Sequence, residues 1–265
     1  MAFNSLGSVV NKYLRQTIYC LFYPCLFVSV LKAQDEFEQH LFKYKEGLLP
    51  YQLLQPRNID STKKYPLILY LHGAGSRGVD NKIPNTHIQS LLLADSNRTQ
   101  YPCFVLVPQC PKAYRWVETD WTLLSHLQPK EPSIPMALVI ELLKEFENHS
   151  AIDTNRIYVT GLSMGGFGVW DLIARFPDKF AAAVPICGGA DLQTVQLLTT
   201  IPIWCFHGAA DRVVRPSRSR EMVAALKKYN ADIKYTEYNG VGHGSWKPAY
   251  AEPDLLYWLF SKLKD

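Results

Sequence analysis

The stretch "RIYVTGLSMGGFGVWDLIARFP", residues 156–177, changes its hydrophobic period in the middle. Up to Gly161 it is a short continuous apolar run, as a strand covered on both faces requires; from Met164 onward the apolar residues recur at helical spacing. Ser163 stands at the junction with Gly161 and Gly165 two positions to either side, so the segment matches G-x-S-x-G. Glycines there let the backbone close around a serine whose own dihedrals are strained, and the hydroxyl then projects where the helix begins. Met164 follows at the helix start, where a backbone N–H lacks an intrahelical partner and can face developing negative charge. Five-residue matches occur by chance; the strand before this one and the helix after it point to a nucleophile.

On either side of this stretch, strands and helices alternate. "YPLILYLHG" (65–73), "CFVLVPQ", "FAAAVPICGG", "PIWCFHG" and "IKYTEY" read as strands. "THIQSLLLADS", "IPMALVIELLKEFENHS", residues 164–176 and "SRSREMVAALKKY" read as helices, followed by a terminal helix in "AEPDLLYWLFSKLK" with Leu255, Leu256, Leu259 and Leu263 on one face. The "IPMALVIELLKEFENHS" helix is expected to end near "IDTNR", with the next strand beginning at Arg156. "EFEQHLFKYKEGLLPYQLLQP" gives two short extended segments around Gly47, an edge hairpin. This alternation predicts an α/β fold with a mostly parallel central sheet and helices on both faces. With 265 residues and 48% apolar composition the chain can bury a substantial core, and a second domain is not needed.

Two segments depart from the alternation. Residues 1–33 carry Lys12 and Arg15 without an acid, then the apolar "TIYCLFYPCLFVSVL", then small-residue cleavage chemistry ending at Ala33. That order predicts a signal peptide and a secreted or periplasmic protein without stable membrane insertion, a retained anchor being the alternative. The catalytic domain is then 34–265. Residues 111–132, "PKAYRWVETDWTLLSHLQPKEP", have no clean period; they are read as a pocket rim with Trp116 and Trp121 as substrate-binding residues, or else as a packed surface excursion.

Charge and cysteine usage exclude several classes. The chain has 28 Lys+Arg and 24 Asp+Glu; without Lys12, Arg15 and Lys32 the balance is 25 against 24, a net charge of +1. No basic stripe interleaved with aromatics favours nucleic acid. Cys103, Cys110, Cys187 and Cys205 are read as free thiols, and no CxxC, His-Cys cluster or HExxH suggests a metal site.

A nucleophilic serine needs a base and an orienting acid, in the order Ser, acid, His for this strand–turn–helix context. His243, in the glycine-rich "NGVGHGSW" after the last strand, suits the base. Asp211, three residues past the "PIWCFHG" strand, suits the acid, with Asp191 in "CGGAD" a competitor. His72 and His207, each before a glycine at a strand end, are read as loop supports. The "HGAG" turn offers the Ala74 N–H as a second oxyanion donor beside Met164. It lacks both GxxxxGK[ST] and GxGxxG, so a nucleotide is not expected.

Together "LYLHGAG", "GLSMGG", "HGAAD" and "GVGHGSW" resemble the α/β-hydrolase superfamily, and more narrowly secreted esterases related to polyhydroxybutyrate depolymerases, feruloyl esterases and bacterial predicted peptidases. The resemblance runs from about residue 40 to the end. It implies Ser163, Asp211 and His243 as catalytic residues and the Ala74 and Met164 amides as the oxyanion hole. It also implies that aromatic residues of "VPQCPKAYRW" and Trp246 line an acyl pocket. Ala74 departs from the fuller "HGGG" turn of lipase-type relatives, which bears on the turn geometry. The implied activity is a cofactor-free serine carboxylic-ester hydrolase acting on small or polysaccharide-linked feruloyl or acetyl esters. A serine peptidase and a noncatalytic carbohydrate-binding protein are the alternatives.

Overall fold

The computed structural model describes residues 36–83 and 87–264, which form one compact unit. The signal segment read at 1–33 lies outside the described residues. Among the described residues, eight strands make a single sheet: β1 (Glu38–Tyr44), β2 (Gly47–Leu54), β3 (Tyr65–Leu71), β4 (Phe104–Pro108), β5 (Ile152–Leu162), β6 (Ala182–Ile186), β7 (Ile203–Gly208) and β8 (Ile233–Tyr238). Their order is β1-β2-β4-β3-β5-β6-β7-β8. The first two form the expected hairpin, Tyr44 opposite Gly47, and β2 pairs antiparallel with β4. All pairings from β4 to β8 are parallel.

The helices are α1 (His87–Leu93), α2 (Asp95–Gln100), α3 (Ile134–Glu147), α4 (Met164–Arg175), α5 (Ser217–Lys228), α6 (Trp246–Tyr250) and α7 (Leu255–Phe260). They divide by the pleat of the strands. Leu67, Leu69 and Leu71 of β3 point into a core with α3, α4 and α5, while Ile68 and Tyr70 point into a second core with α1, α6 and α7. That is why "YPLILYL" is apolar without alternation: every residue of it is buried.

Strand order reverses at β3. β4 lies on one side of it and β5 on the other, so the turns leaving the carboxyl ends of β3 and β5 separate and leave a crevice, the usual ligand position in an open α/β sheet. The loops after β7 and β8 reach the same end.

Two boundaries differ from expectation. β5 begins at Ile152 rather than at Arg156, with an irregularity opposite Tyr65 and Leu67. The terminal helix expected in "AEPDLLYWLFSKLK" is only α7, starting at Leu255, because Pro253 has no N–H to donate and restricts Glu252 before it; the short α6 that precedes it was not expected. Past α7 the Lys264 N–H donates to Asn155 O at 3.0 Å, which draws the chain off the helical path, and Leu263 is 63% exposed instead of facing the core.

α4 lies hard against β3. A Cβ at Gly165 would stand 1.8 Å from Leu71 O, backbone that cannot yield. Gly165→Ala is therefore expected to lower unfolding free energy by about 3 kcal/mol in urea titrations. Gly75→Ala, where a Cβ meets no atom within 4 Å, should stay within about 0.5 kcal/mol. Equal stabilities would refute this account of the helix–strand contact.

Candidate active site

Ser163 lies between β5 and α4 with φ 54° and ψ −120°, a region that costs a non-glycine residue about 1–3 kcal/mol. Its N–H donates to Ile186 O on the neighbouring β6 at 2.9 Å, so the sheet itself holds the turn. The side chain is thereby presented to the loop after β8. His243 Nε2 is 2.9 Å from Ser163 Oγ, and His243 Nδ1 is 2.8 Å from Asp211 Oδ2. Since the carboxylate only accepts, Nδ1 carries the proton and Nε2 accepts from the serine hydroxyl. Ser163, His243 and Asp211, 80 and 32 residues apart along the chain, are thus joined by two hydrogen bonds.

Asp211 is the most heavily bonded side chain of the group. Its Oδ1 accepts from the Val213 and Val214 N–H groups at 2.8 and 3.0 Å, fixing the tight turn after β7. Its Oδ2 is approached by His243 and also by His207 Nε2 at 3.3 Å. Val214 O, at 3.0 Å, is likewise an acceptor for His207 Nε2, so that nitrogen bears the proton and the Ser219 hydroxyl donates to Nδ1 at 2.7 Å. Burial alone would raise the Asp211 carboxyl. Hydrogen bonds from His207, then His243 and Val213, outweigh it and hold the group well below the ordinary carboxylate range. The sequence reading had His207 as a loop support, which its bond to Val214 O fits. Its contact with the acid was missed, although the four-residue step in "HGAAD" could have signalled it.

The turn after β3 is braced from three sides. His72 is fully buried and its Nε2 accepts from the Cys110 N–H at 3.0 Å, so its Nδ1 donates to Gly73 O at 2.7 Å. Burial pushes its imidazole down to about 4, which keeps the ring neutral in this bridge. Arg77 Nε donates to Ala74 O at 3.0 Å, and its Nη1 reaches Lys112 O and Tyr114 O. Among the described residues the Ala74 and Met164 N–H groups make no backbone hydrogen bond. Ala74 borders the crevice, and Met164 opens α4 directly after Ser163.

The crevice is a cleft of about 470 Å³ lined by Ser163, His243, Ala74, Trp121, Trp246 and Val213, among others. Trp246 meets the His243 ring edge-on at 5.4 Å, and the Arg115 guanidinium stacks 4.4 Å over Trp121. Trp116 is a correction. It is fully buried, its indole N–H donates to His72 O at 3.0 Å and its ring packs on His72, so it braces the turn from below instead of lining the cleft.

The rest of the 111–132 segment is tied to the body of the protein. Asp191, the competitor for the acid, accepts from the Gln128 N–H at 2.8 Å and caps the 3-10 helix that follows it. Buried Arg218 donates to Leu123 O and bonds His126, while Arg175 donates to Pro129 O and Lys130 O. Both earlier readings therefore hold in part: Trp121 forms the rim, and the remainder is packed.

Cys103, Cys110, Cys187 and Cys205 are free and buried. Cys187, Asp211 and His243 bring one ligand atom each within 4.8 Å of one another. As a metal set this is poor, since burial pushes the thiol up to about 12 and the other two donors are committed to each other.

A model of the dienelactone hydrolase family matches residues 122–252. The chain is 39% identical to a thermostable esterase of known structure, covering 87% of this chain and 64% of that one with a TM-score of 0.79. It is 25% identical to an uncharacterized secreted protein of Arthroderma benhamiae, over 83% of this chain and 26% of that one. It is 29% identical to the bifunctional acetylxylan esterase/xylanase XynS20E of Neocallimastix patriciarum, over 62% of this chain and 21% of that one. The chain thus spans about a quarter of these two curated relatives. Among the described residues no helix is long and apolar enough to cross a membrane.

Asp211 has a depressed pKa in the folded state, so its contribution to stability is complete above the unfolded value of about 4 and is lost as pH falls toward the folded one. Asp211→Asn should accordingly be less stable than the parent at pH 6, with the gap closing as pH is lowered below 4. A gap in urea midpoints that stays constant across that range would contradict the ionised, hydrogen-bonded carboxylate.

Proposed function

We propose, from the premise that this chain belongs to the α/β-hydrolase superfamily, that it is a secreted serine carboxylic-ester hydrolase. The observation that carries the reading is the pair of hydrogen bonds linking Ser163 Oγ through His243 to Asp211, opening on a cleft walled by Trp121 and Trp246. Ser163 Oγ attacks the ester carbonyl carbon as His243 Nε2 takes its proton, and the Asp211 carboxylate stabilises the imidazolium that forms. The carbonyl oxygen, now negative, is received by the Ala74 and Met164 N–H groups, a reading supported by their having no backbone partner among the described residues. Collapse of the tetrahedral species breaks the bond to the alkoxide, which takes the proton from His243. Water then enters, gives its proton to His243, and attacks the acyl-serine; the acid leaves and Ser163 is restored.

The two tryptophans provide flat apolar walls suited to an aromatic acyl group such as feruloyl, and the similarity to an acetylxylan esterase supports esters carried on polysaccharide. Export fits such a substrate, and the similarity to a secreted fungal protein supports it. Neither oxidation nor group activation is required, so the reading needs no cofactor.

Ser163→Ala is expected to lower kcat on acetyl and feruloyl esters by at least about 10⁴-fold with little change in KM, and to abolish labelling by a fluorophosphonate. Unchanged hydrolysis in the variant sinks the proposal. Faster turnover of matched peptides than of esters would replace it with a peptidase, and sugar binding without any hydrolysis would replace it with a carbohydrate-binding role.

A further inference from the structure

Beside the cleft, across the turn that carries Ala74, lies a second cavity of about 520 Å³. Gly75 and Ser76 line both cavities, so the short 3-10 helix Ala74–Ser76 is their shared wall. Gly75 is exposed, and a Cβ built on it meets no atom within 4 Å. A molecule extending out of the cleft therefore crosses the wall at a point without a side chain.

The two cavities differ in chemistry. The cleft has Trp121 and Trp246; among the described residues the second cavity has no aromatic side chain and is lined by Arg77, Lys82 and Lys112, with Asp80 as its acid. Asp80 is occupied within its own loop, accepting from the Lys82 N–H and from Gln109 Nε2, and these bonds hold its carboxyl below the ordinary range. Arg77 is fixed at the wall by Ala74 O, Lys112 O and Tyr114 O, so its charge stays in place. The Lys82 and Lys112 side chains are exposed and form no ion pair among the described residues. Three cations against one internally bonded acid make the lining a place for negative charge, with nothing on which an uncharged sugar or an aromatic ring could stack.

We propose that this cavity is a subsite for a carboxylate carried by the substrate, such as a uronic-acid sugar attached to the esterified unit. The inference rests on the esterase reading of Ser163. The ester carbonyl sits at the Ala74 and Met164 amides while the acidic sugar crosses Gly75 and places its carboxylate between Lys82 and Lys112, with Arg77 behind.

The test compares kcat/KM on acetylated xylo-oligosaccharides with and without a glucuronic-acid branch, using the full chain. At low salt the acidic ester should be preferred about tenfold, and the preference should disappear near 0.5 M salt, where exposed charges are screened. In the double variant Lys82→Glu with Lys112→Glu the acidic-to-neutral ratio should fall to about one or below. Lys63→Glu with Lys64→Glu makes the same change in net charge beside the opposite end of β3 and should keep the parent ratio. A parent ratio of one, or a ratio that survives reversal at Lys82 and Lys112, overturns the subsite while leaving the esterase reading intact. If the parent hydrolyses neither ester the subsite falls, and the esterase reading falls with it if feruloyl esters are also left intact.

Discussion

The hydrogen bond from the Ser163 N–H to Ile186 O holds a serine in a backbone conformation it would otherwise avoid, and the site is arranged around that point. The bond requires β6 beside β5, and the direction of the turn requires α4 to lie directly on β3. Both are properties of a parallel sheet whose strands are buried on two faces. Strain at one residue is tolerated because roughly 1–3 kcal/mol is small against the core that fixes its neighbours. Once Ser163 is placed, the switch in strand order at β3 puts the Ala74 turn beside it, and the loops after β7 and β8 deliver Asp211 and His243 from the same end.

The acid is held by more than its partner in the site. Asp211 Oδ2 lies between two imidazoles while Oδ1 closes its own turn, so its position is set by β7, by His207 and through Ser219 by α5. A carboxylate so fixed cannot rotate away from His243, and it stays ionised because the donors around it outweigh the cost of burial. The same pattern recurs at the turn after β3, where His72, Trp116 and Arg77 brace Gly73 and Ala74 from beneath and from the side. Arg77 also belongs to the cationic cavity, which makes the wall between the two cavities a rigid element rather than a free loop.

The long segment 111–132 has no regular structure, yet its backbone carbonyls and N–H groups are answered by Arg218, Arg175 and Asp191. Packing of this kind uses side chains from α4, α5 and the loop after β6, remote in sequence, so composition alone left rim and packed excursion undivided. Trp116 and Trp121 show the difference over five residues: one is fully buried under the turn, the other lines the cleft. Their identities are the same, and only the path of the chain separates them.

The sequence by itself determined the layers, the order of most elements and the junction at Ser163, because these follow from local periodicity and from where glycine is required. It also narrowed the candidate acid to Asp211 or Asp191 and the candidate base to His243, since each follows a strand that the apolar pattern reveals. Tertiary structure separates the two carboxylates: Asp211 meets His243, while Asp191 holds Gln128. It added His207 to the acid, moved Trp116 out of the cleft and turned Leu263 to solvent. It also set a cationic cavity against the turn after β3. Those outcomes depend on which chain segments meet across the ends of the sheet, and contacts between residues tens of positions apart leave no period in the sequence to read.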